Sequence, residues 1–134
     1  MSAKKILIID DDRDLVRGLS VRLKANSYIV VSAMDAVTAM TVMRKESPDL
    51  VLLDLGLPGG SGLTVLERMK SSTGLPNIPV IVLSARDPAG HKENALKAGA
   101  ALFLQKPADN HVLLAAIRET LGEGGTASSA QGTA

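Results

Sequence analysis

Carboxylates, a hydroxyl and an amine follow short apolar runs of this chain. Asp10–Asp12 come directly after one run and Asp54 after another, while Ser84 and Lys106 follow two more. Such continuous apolar runs are typical of strands that are buried on both faces of a parallel sheet. Because parallel strands all end at the same edge, we expect these polar side chains to meet in space.

The chemistry of this set points to phosphoryl transfer. Neighbouring carboxylates raise one another's pKa unless a cation neutralises them. Mg²⁺ suits such oxygen ligands and also accepts phosphate oxygens, while Lys106 would add a fixed positive charge and Ser84 a donor. Phosphoryl transfer depends mainly on positioning and charge neutralisation. We therefore predict that Asp54 is a nucleophile that forms an acyl phosphate.

Each residue of the set has a simpler explanation when it is taken alone. Asp12 precedes the first helical pattern, and we interpret it as an N-cap rather than a ligand. The other residues, taken singly, could be turn residues, a helix cap or a surface lysine. Their joint placement after four different strands favours a shared site.

The elements that would position the set alternate along the chain. Leu15, Leu19 and Leu23 recur at helical spacing, and similar patterns follow each later apolar run. With right-handed crossovers, this order predicts an α/β fold with a doubly wound five-stranded parallel sheet and five crossover helices. The apolar stripe of residues 88–98 is thin, so we expect the fourth helix to be the least firmly packed. The five predicted strands are 6–9, 28–31, 50–53, 80–83 and 102–104.

Local signals set the limits of the helices and of the domain. Residues 122–134 carry no large apolar side chain. We therefore predict one domain over 1–122 and a flexible tail or linker over 123–134. The predicted helix caps are Asp35, Ser61 and Asp109 at N-termini and Gly99 at a C-terminus.

The composition excludes several classes of protein. With 46% hydrophobic and 22% charged residues, the chain is not disordered. Tyr28 and Phe103 are its only aromatic residues and its net charge is +1, so it lacks the stacking platforms and basic stripe of nucleic-acid binders. The absence of cysteine excludes thiol chemistry. No apolar run approaches the length of a membrane span, and we expect a cytoplasmic protein without nucleic-acid or membrane contacts.

Four segments resemble the receiver domain of the two-component response-regulator family, in its single-domain, chemotaxis-regulator-like form. Together they are specific because all four occur in order, and the resemblance covers about residues 4–122. The resemblance implies a flavodoxin-like sheet of strand order 2-1-3-4-5. The matching segments are 5–12, 48–62, 78–85 and 99–107.

The resemblance implies a metal site and a phosphoacceptor. Asp54 matches the phosphoacceptor. Asp10 and Asp11 match the acidic pair that holds Mg²⁺, Asp11 as a direct ligand and Asp10 largely through water. Asp54 itself and the backbone carbonyl of Gly56 complete that metal site.

The resemblance also implies a switch. Ser84 matches the hydroxyl that turns toward the phosphoryl group, and Phe103 matches the aromatic residue that turns inward when Ser84 moves. Lys106 matches the lysine of the motif, and its bond to Pro107 resembles the family's cis peptide.

By the same resemblance, the chain is a signalling switch that catalyses only its own phosphorylation and dephosphorylation. Its partners would be a sensor histidine kinase or phosphotransfer protein and a downstream protein target. The chain is then a single-domain protein or the receiver part of a longer regulator. Receivers that dimerise through the fourth helix, fifth strand and fifth helix carry charges where this chain has Ala101, Leu102 and Ala116, so we expect a monomer.

Two other functions fit parts of the pattern. A small aspartate-nucleophile phosphatase would use Asp10 as nucleophile and Asp12 as acid, which leaves the segment around Asp54 unexplained. A flavodoxin-like cofactor binder needs a phosphate-cradling loop after the first strand, where three aspartates would repel phosphate. Finding which aspartate carries phosphate separates the first alternative from the receiver.

Overall fold

Strands and helices alternate through the whole domain. The computed structural model describes residues 3–57, 62–72, 75, 77–85 and 88–123. The elements, in chain order, are β1 (Lys5–Ile9), α1 (Arg13–Ala25), β2 (Ile29–Ala33), α2 (Ala36–Glu46), β3 (Leu50–Leu53), α3 (Gly62–Ser71), β4 (Val80–Ser84), α4 (Pro88–Lys97), β5 (Leu102–Gln105) and α5 (Asn110–Leu121).

The five strands form one parallel sheet in the order β2-β1-β3-β4-β5. This confirms the predicted doubly wound fold and its strand order. Ile9 at the end of β1 pairs with Leu53 at the end of β3. The residues that follow these two strands therefore leave the sheet side by side.

Both faces of the sheet are covered by helices, as the continuous apolar runs predicted. On β1, Leu7 and Ile9 lie in a core that includes buried residues of α2, α3 and α4. Ile6 and Ile8 lie in a second core with buried residues of α1 and α5. A central strand in this position has no polar face, which explains why its polar residues collect at its end.

Three of the predicted N-caps are confirmed. Asp12 accepts hydrogen bonds from the backbone N–H groups of Asp14 and Leu15 at the start of α1. Asp35 accepts one from Thr38, and Asp109 accepts from the first turn of α5. The fourth predicted N-cap, Ser61, lies outside the described residues.

Helix α4 is irregular at its start, in keeping with its thin apolar stripe. Ala89 and Gly90 have non-helical backbone angles, with Gly90 at φ +80°. Among the residues of α4 whose burial is described, only Ala95 is buried. Gly99, at φ +113°, donates its N–H to the carbonyl of Leu96 and ends the helix as predicted.

Two details differ from the sequence prediction. Ser84 is the last residue of β4 rather than the residue after it. Ala116 is only 8% exposed and belongs to the core between the sheet, α1 and α5. Ala116 therefore lies on the buried side of α5, although the resemblance matched it to a charged residue of dimerising receivers.

The described domain ends with a contact that the sequence did not reveal. Helix α5 stops at Leu121, and the Tyr28 hydroxyl donates a 2.7 Å hydrogen bond to the Glu123 carboxylate. Glu123 therefore contacts the domain although the predicted tail begins there. Residues 124–134 lie outside the described part of the chain, and the limit of the tail stays a prediction.

The helices of the described segments are short. The longest, α1, has 13 residues. None of those described is long and apolar enough to cross a membrane.

Candidate functional site

Adjacent strands place three carboxylates together. The Asp10 N–H donates to the carbonyl of Ala33, and the Asp54 N–H donates to the carbonyl of Ile9. These bonds fix both backbones at the carboxyl edge of the sheet. One carboxylate oxygen from each of Asp10, Asp11 and Asp54 lies within 4.8 Å of the others. For these three carboxylates, the convergence predicted from the sequence is therefore present in the structure.

The cluster is partly shielded from water. Asp54 is 9% exposed and Asp10 is also buried, whereas Asp11 is exposed. Burial raises the pKa of Asp54 above its ordinary value, and the nearby Asp10 charge raises it further. The Lys106 charge and a backbone hydrogen bond from Gly56 lower the pKa of Asp54 but do not cancel the effect of burial. Asp54 is thus a carboxylate whose ionised form is poorly stabilised without a further cation.

Lys106 approaches the cluster from the end of β5. Its Nζ atom lies 2.7 Å from Oδ2 of Asp10 and 3.9 Å from Oδ1 of Asp54. The lysine therefore neutralises the cluster mainly through Asp10 and lies farther from Asp54. Lys106 and Pro107 are joined by a cis peptide bond, as the resemblance implied.

Ser84 and Phe103 lie on the neighbouring strands β4 and β5. Ser84 is fully buried, and its carbonyl accepts a 2.7 Å hydrogen bond from the N–H of Lys106. Phe103 pairs with Val82 in the sheet register and is only 8% exposed. Its side chain belongs to the core beneath α2, α3 and α4.

The donor set fits a hard divalent cation. Carboxylate oxygens within one small volume are the ligands that Mg²⁺ takes in proteins. Only one cation, Lys106, forms an ion pair with these carboxylates among the residues described. Asp12 is a different case, because one of its carboxylate oxygens caps α1.

One residue at the site was not identified from the sequence. The N–H of Gly62 donates a 2.9 Å hydrogen bond to the carbonyl of Leu55, directly after Asp54. The available signal was a glycine at the end of the segment 48–62, but a glycine alone does not reveal which backbone it approaches.

Comparison with known proteins agrees with the geometry. The family model described as "Response regulator receiver domain" matches residues 6–118. Response regulator PleD of Caulobacter vibrioides is 40% identical over 118 residues, which are 88% of this chain and 26% of that protein. Transcriptional regulatory protein KdpE of Mycobacterium tuberculosis is 39% identical over 113 residues, which are 84% of this chain and 49% of that protein. The chain thus spans a quarter to a half of the length of these curated relatives.

Comparison with solved structures also finds receiver domains. A CheY-like receiver domain protein from Methanospirillum hungatei has a TM-score of 0.83 at 30% identity, covering 91% of this chain and 96% of that one. The BeF3-activated N-terminal receiver domain of Klebsiella pneumoniae RstA has a TM-score of 0.81 at 30% identity, covering 87% and 97%. Since the family model spans most of the chain and these structures share its fold, this chain belongs to the response regulator receiver domain family, the signalling switches of two-component systems.

Proposed function

We propose that Asp54 accepts a phosphoryl group from a phosphohistidine on a sensor histidine kinase or phosphotransfer protein, and that this changes which protein the domain binds. The observation that carries the proposal is the surroundings of Asp54. Its buried carboxylate lies within 4.8 Å of oxygens of Asp10 and Asp11, and 3.9 Å from Lys106. Anionic groups gathered around a cation suit a reaction that depends on charge neutralisation.

In the proposed step, one Asp54 oxygen attacks the phosphorus in line with the bond to the imidazole nitrogen. The new O–P bond forms as the P–N bond breaks, and the nitrogen keeps the electron pair of that bond. The histidine leaves as a neutral imidazole when its other nitrogen carries a proton. Later attack of water on the phosphorus returns inorganic phosphate and the Asp54 carboxylate. The domain thus catalyses only its own phosphorylation and dephosphorylation.

The acidic residues suit a Mg²⁺ site. Asp10, Asp11 and Asp54, with the backbone carbonyl of Gly56, would hold the ion. Bound there, Mg²⁺ would neutralise charge on the phosphoryl oxygens and on the attacking carboxylate. Lys106 lies 3.9 Å from Asp54, close enough for its ammonium group to pair with a phosphoryl oxygen on that residue.

The switch would begin at Ser84 and reach Phe103 through neighbouring strands. Ser84 ends β4 and pairs with Gln105, two residues beyond Phe103. A hydroxyl that bonds the phosphoryl group would favour one arrangement of this edge of the sheet. The expected output is a population shift that alters the surface offered to a downstream protein.

The position of Asp12 argues against the phosphatase alternative, in which Asp12 would be the general acid. The carboxylate oxygen Oδ1 of Asp12 accepts hydrogen bonds from Asp14 and Leu15 at the start of α1. A carboxylate oxygen that accepts these two backbone hydrogen bonds is held at the start of α1 as a cap, which is a poor position for a general acid. The observation favours Asp54 over Asp10 as the nucleophile.

Intact-mass analysis tests the proposal. Wild type, Asp54→Asn and Asp10→Asn are incubated with Mg²⁺ and acetyl phosphate, and the modified residue is mapped on peptides. We expect one phosphoryl group on wild type, located on Asp54, and none on Asp54→Asn. Phosphate mapped to Asp10 would instead identify the phosphatase, and equal incorporation into Asp54→Asn would exclude Asp54 as acceptor.

A further inference from the structure

Gly62, the first residue of α3, lies against the backbone of Asp54. A Cβ atom added at Gly62 would be 2.5 Å from the Asp54 carbonyl oxygen and 2.8 Å from the Leu55 Cα. Separations below 3.0 Å essentially never occur for real Cβ atoms. The φ angle of Gly62 is not in the left-handed region, so this position needs glycine for space rather than for conformation.

Backbone hydrogen bonds on both sides hold Gly62 close to Asp54. The Gly62 N–H bonds to the Leu55 carbonyl, and the Asp54 N–H bonds to the Ile9 carbonyl in the neighbouring strand. Leu55 is itself buried in the core. The atoms nearest to the missing Cβ belong to the backbone, so rotation of a side chain cannot relieve the clash.

We propose that Gly62 is a positioning residue for the site at Asp54, an inference that rests on the function proposed above. With a side chain at position 62, the separation from the Asp54 carbonyl must widen from 2.5 Å to more than 3.0 Å, and to 3.4 Å for ordinary van der Waals contact. Asp10 and Lys106 follow other strands, β1 and β5, so a movement of the Asp54 backbone would not carry them with it. Since a working site tolerates only about 0.5 Å of displacement, the carboxylates would lose their mutual geometry.

The test is Gly62→Ala, measured in two ways. Calorimetric titration with MgCl₂ at fixed ionic strength gives metal affinity, and intact mass with acetyl phosphate gives the rate of Asp54 phosphorylation. We expect about a tenfold or greater loss in metal affinity, as for residues that orient metal ligands. We expect a loss of similar size in the phosphorylation rate.

Two control variants separate positioning from stability. Gly18→Ala adds the same methyl group in α1, where nothing lies within 4 Å of the new carbon, and should leave both measurements unchanged. Leu66→Ala removes a buried side chain from α3 itself and should lower the melting temperature. Below its melting temperature, Leu66→Ala should keep wild-type Mg²⁺ affinity.

The results separate a positioning role of Gly62 from a purely structural role. Wild-type affinity and rate in Gly62→Ala would overturn the inference, as would an equal loss in folded Leu66→Ala. Failure of Gly62→Ala to fold would also overturn it, because the clash would then spread into the core rather than be absorbed at Asp54. If wild type itself takes no phosphate on Asp54, the proposed function fails, whereas the metal titration still reports on Gly62.

Discussion

The ammonium nitrogen of Lys106 lies 2.7 Å from Oδ2 of Asp10. Both side chains are largely withdrawn from water, with 17% of the lysine side chain and 4% of the aspartate side chain exposed. The pair couples the end of β5 to the end of β1 and supplies positive charge to an acidic cluster. Removing Lys106 would leave the carboxylates of Asp10, Asp11 and Asp54 facing one another without compensation.

Lys106→Met should therefore make the domain depend on added metal. Without Mg²⁺ at neutral pH, we expect a loss of about 1.5–3 kcal/mol in the free energy of unfolding, the range for a hydrogen bond to a charged group. Added Mg²⁺ should stabilise the variant more than it stabilises wild type. Urea unfolding with EDTA and with Mg²⁺ measures both effects.

Lys97→Met is the control for loss of a lysine. Its partner is Glu93 on the same helix, and both side chains are 72% exposed. Such a pair contributes about 0.2–0.5 kcal/mol, so this variant should respond to Mg²⁺ like wild type. An equal response to Mg²⁺ in Lys106→Met and wild type would contradict the role given to Lys106.

Features set by strand ends and local caps could be predicted from the sequence. Asp10 and Asp54 follow adjacent parallel strands, so topology alone brings them together. Asp12 caps the helix that begins one residue later, which is a local effect. The partner of Lys106 could not be predicted, because a long side chain at a strand end reaches either carboxylate and three-dimensional packing decides between them.

Contacts between residues that are far apart in the sequence could not be predicted either. Tyr28 and Glu123 are 95 residues apart, and no sequence pattern links them. Gly62 has an ordinary helical position in the sequence, and its closeness to Asp54 depends on how α3 meets the sheet. The burial of Ala116 likewise follows from the packing of α5 on the sheet.

The raised pKa of Asp54 predicts the effect of pH on stability. Between the ordinary pKa of 3.8 and the raised value, the folded protein holds a proton that the unfolded chain releases. The contribution of this group to stability therefore falls as pH rises through that window. Without metal at pH 7, Asp54→Asn should be more stable than wild type, and its advantage should disappear as pH falls below about 4.

The gain from Asp54→Asn should follow the direction of this pKa shift, and solvent at the site screens the charge and reduces its size. Asp35→Asn provides a contrast of opposite sign. The Thr38 N–H lowers the pKa of Asp35, so its charged form stabilises the fold above the ordinary pKa. Urea unfolding from pH 3 to pH 8 gives the comparison, and an Asp54→Asn variant that is less stable at pH 7 would refute the assignment.

Metal affinity should separate Asp11 from Asp12. Asp11 contributes an oxygen to the carboxylate cluster, whereas Asp12 caps α1. We expect Asp11→Asn to weaken Mg²⁺ binding about tenfold or more. Asp12→Asn should change it little, because asparagine caps a helix about as well as aspartate.

Calorimetric titration at fixed ionic strength gives both affinities. The Asp12 variant also controls for the loss of one negative charge near the site. A larger loss of affinity in Asp12→Asn than in Asp11→Asn would reverse the two roles.

The end of the domain should lie after Glu123 rather than before it. Burial and the Glu123 carboxylate raise the pKa of Tyr28 to about 12, so the phenol is a neutral donor at every physiological pH. Removing residues 124–134 should leave the melting temperature unchanged. Glu123→Ala should cost about 0.5–1.5 kcal/mol through the lost hydrogen bond.

Tyr28→Phe provides the matched test for that contact. In the Tyr28→Phe background, Glu123→Ala should cost much less, because the donor is already absent. Full additivity of the two substitutions in urea unfolding would show that the hydrogen bond does not stabilise the domain.

The last prediction concerns assembly on the surface formed by α4, β5 and α5. A symmetric dimer on that surface relies on ion pairs between subunits, and this chain carries Ala101 and Leu102 where acidic residues would stand. Each exposed pair contributes only about 0.2–1 kcal/mol, but the loss of several weakens association about tenfold for every 1.4 kcal/mol. We therefore expect the domain to sediment as a monomer at micromolar concentration, with Mg²⁺ alone and with beryllofluoride added.

The burial of Ala116 decides which variant can test this surface. A charged side chain at position 116 would have to leave the core between the sheet, α1 and α5, so its effect on stability would be mixed with any effect on association. Ala101 is exposed, so Ala101→Asp changes the surface without disturbing the core. Wild type and Ala101→Asp should both stay monomeric with beryllofluoride. A wild-type dimer that forms only with beryllofluoride, and that Ala101→Asp disrupts, would show that apolar contacts on this surface replace the missing ion pairs.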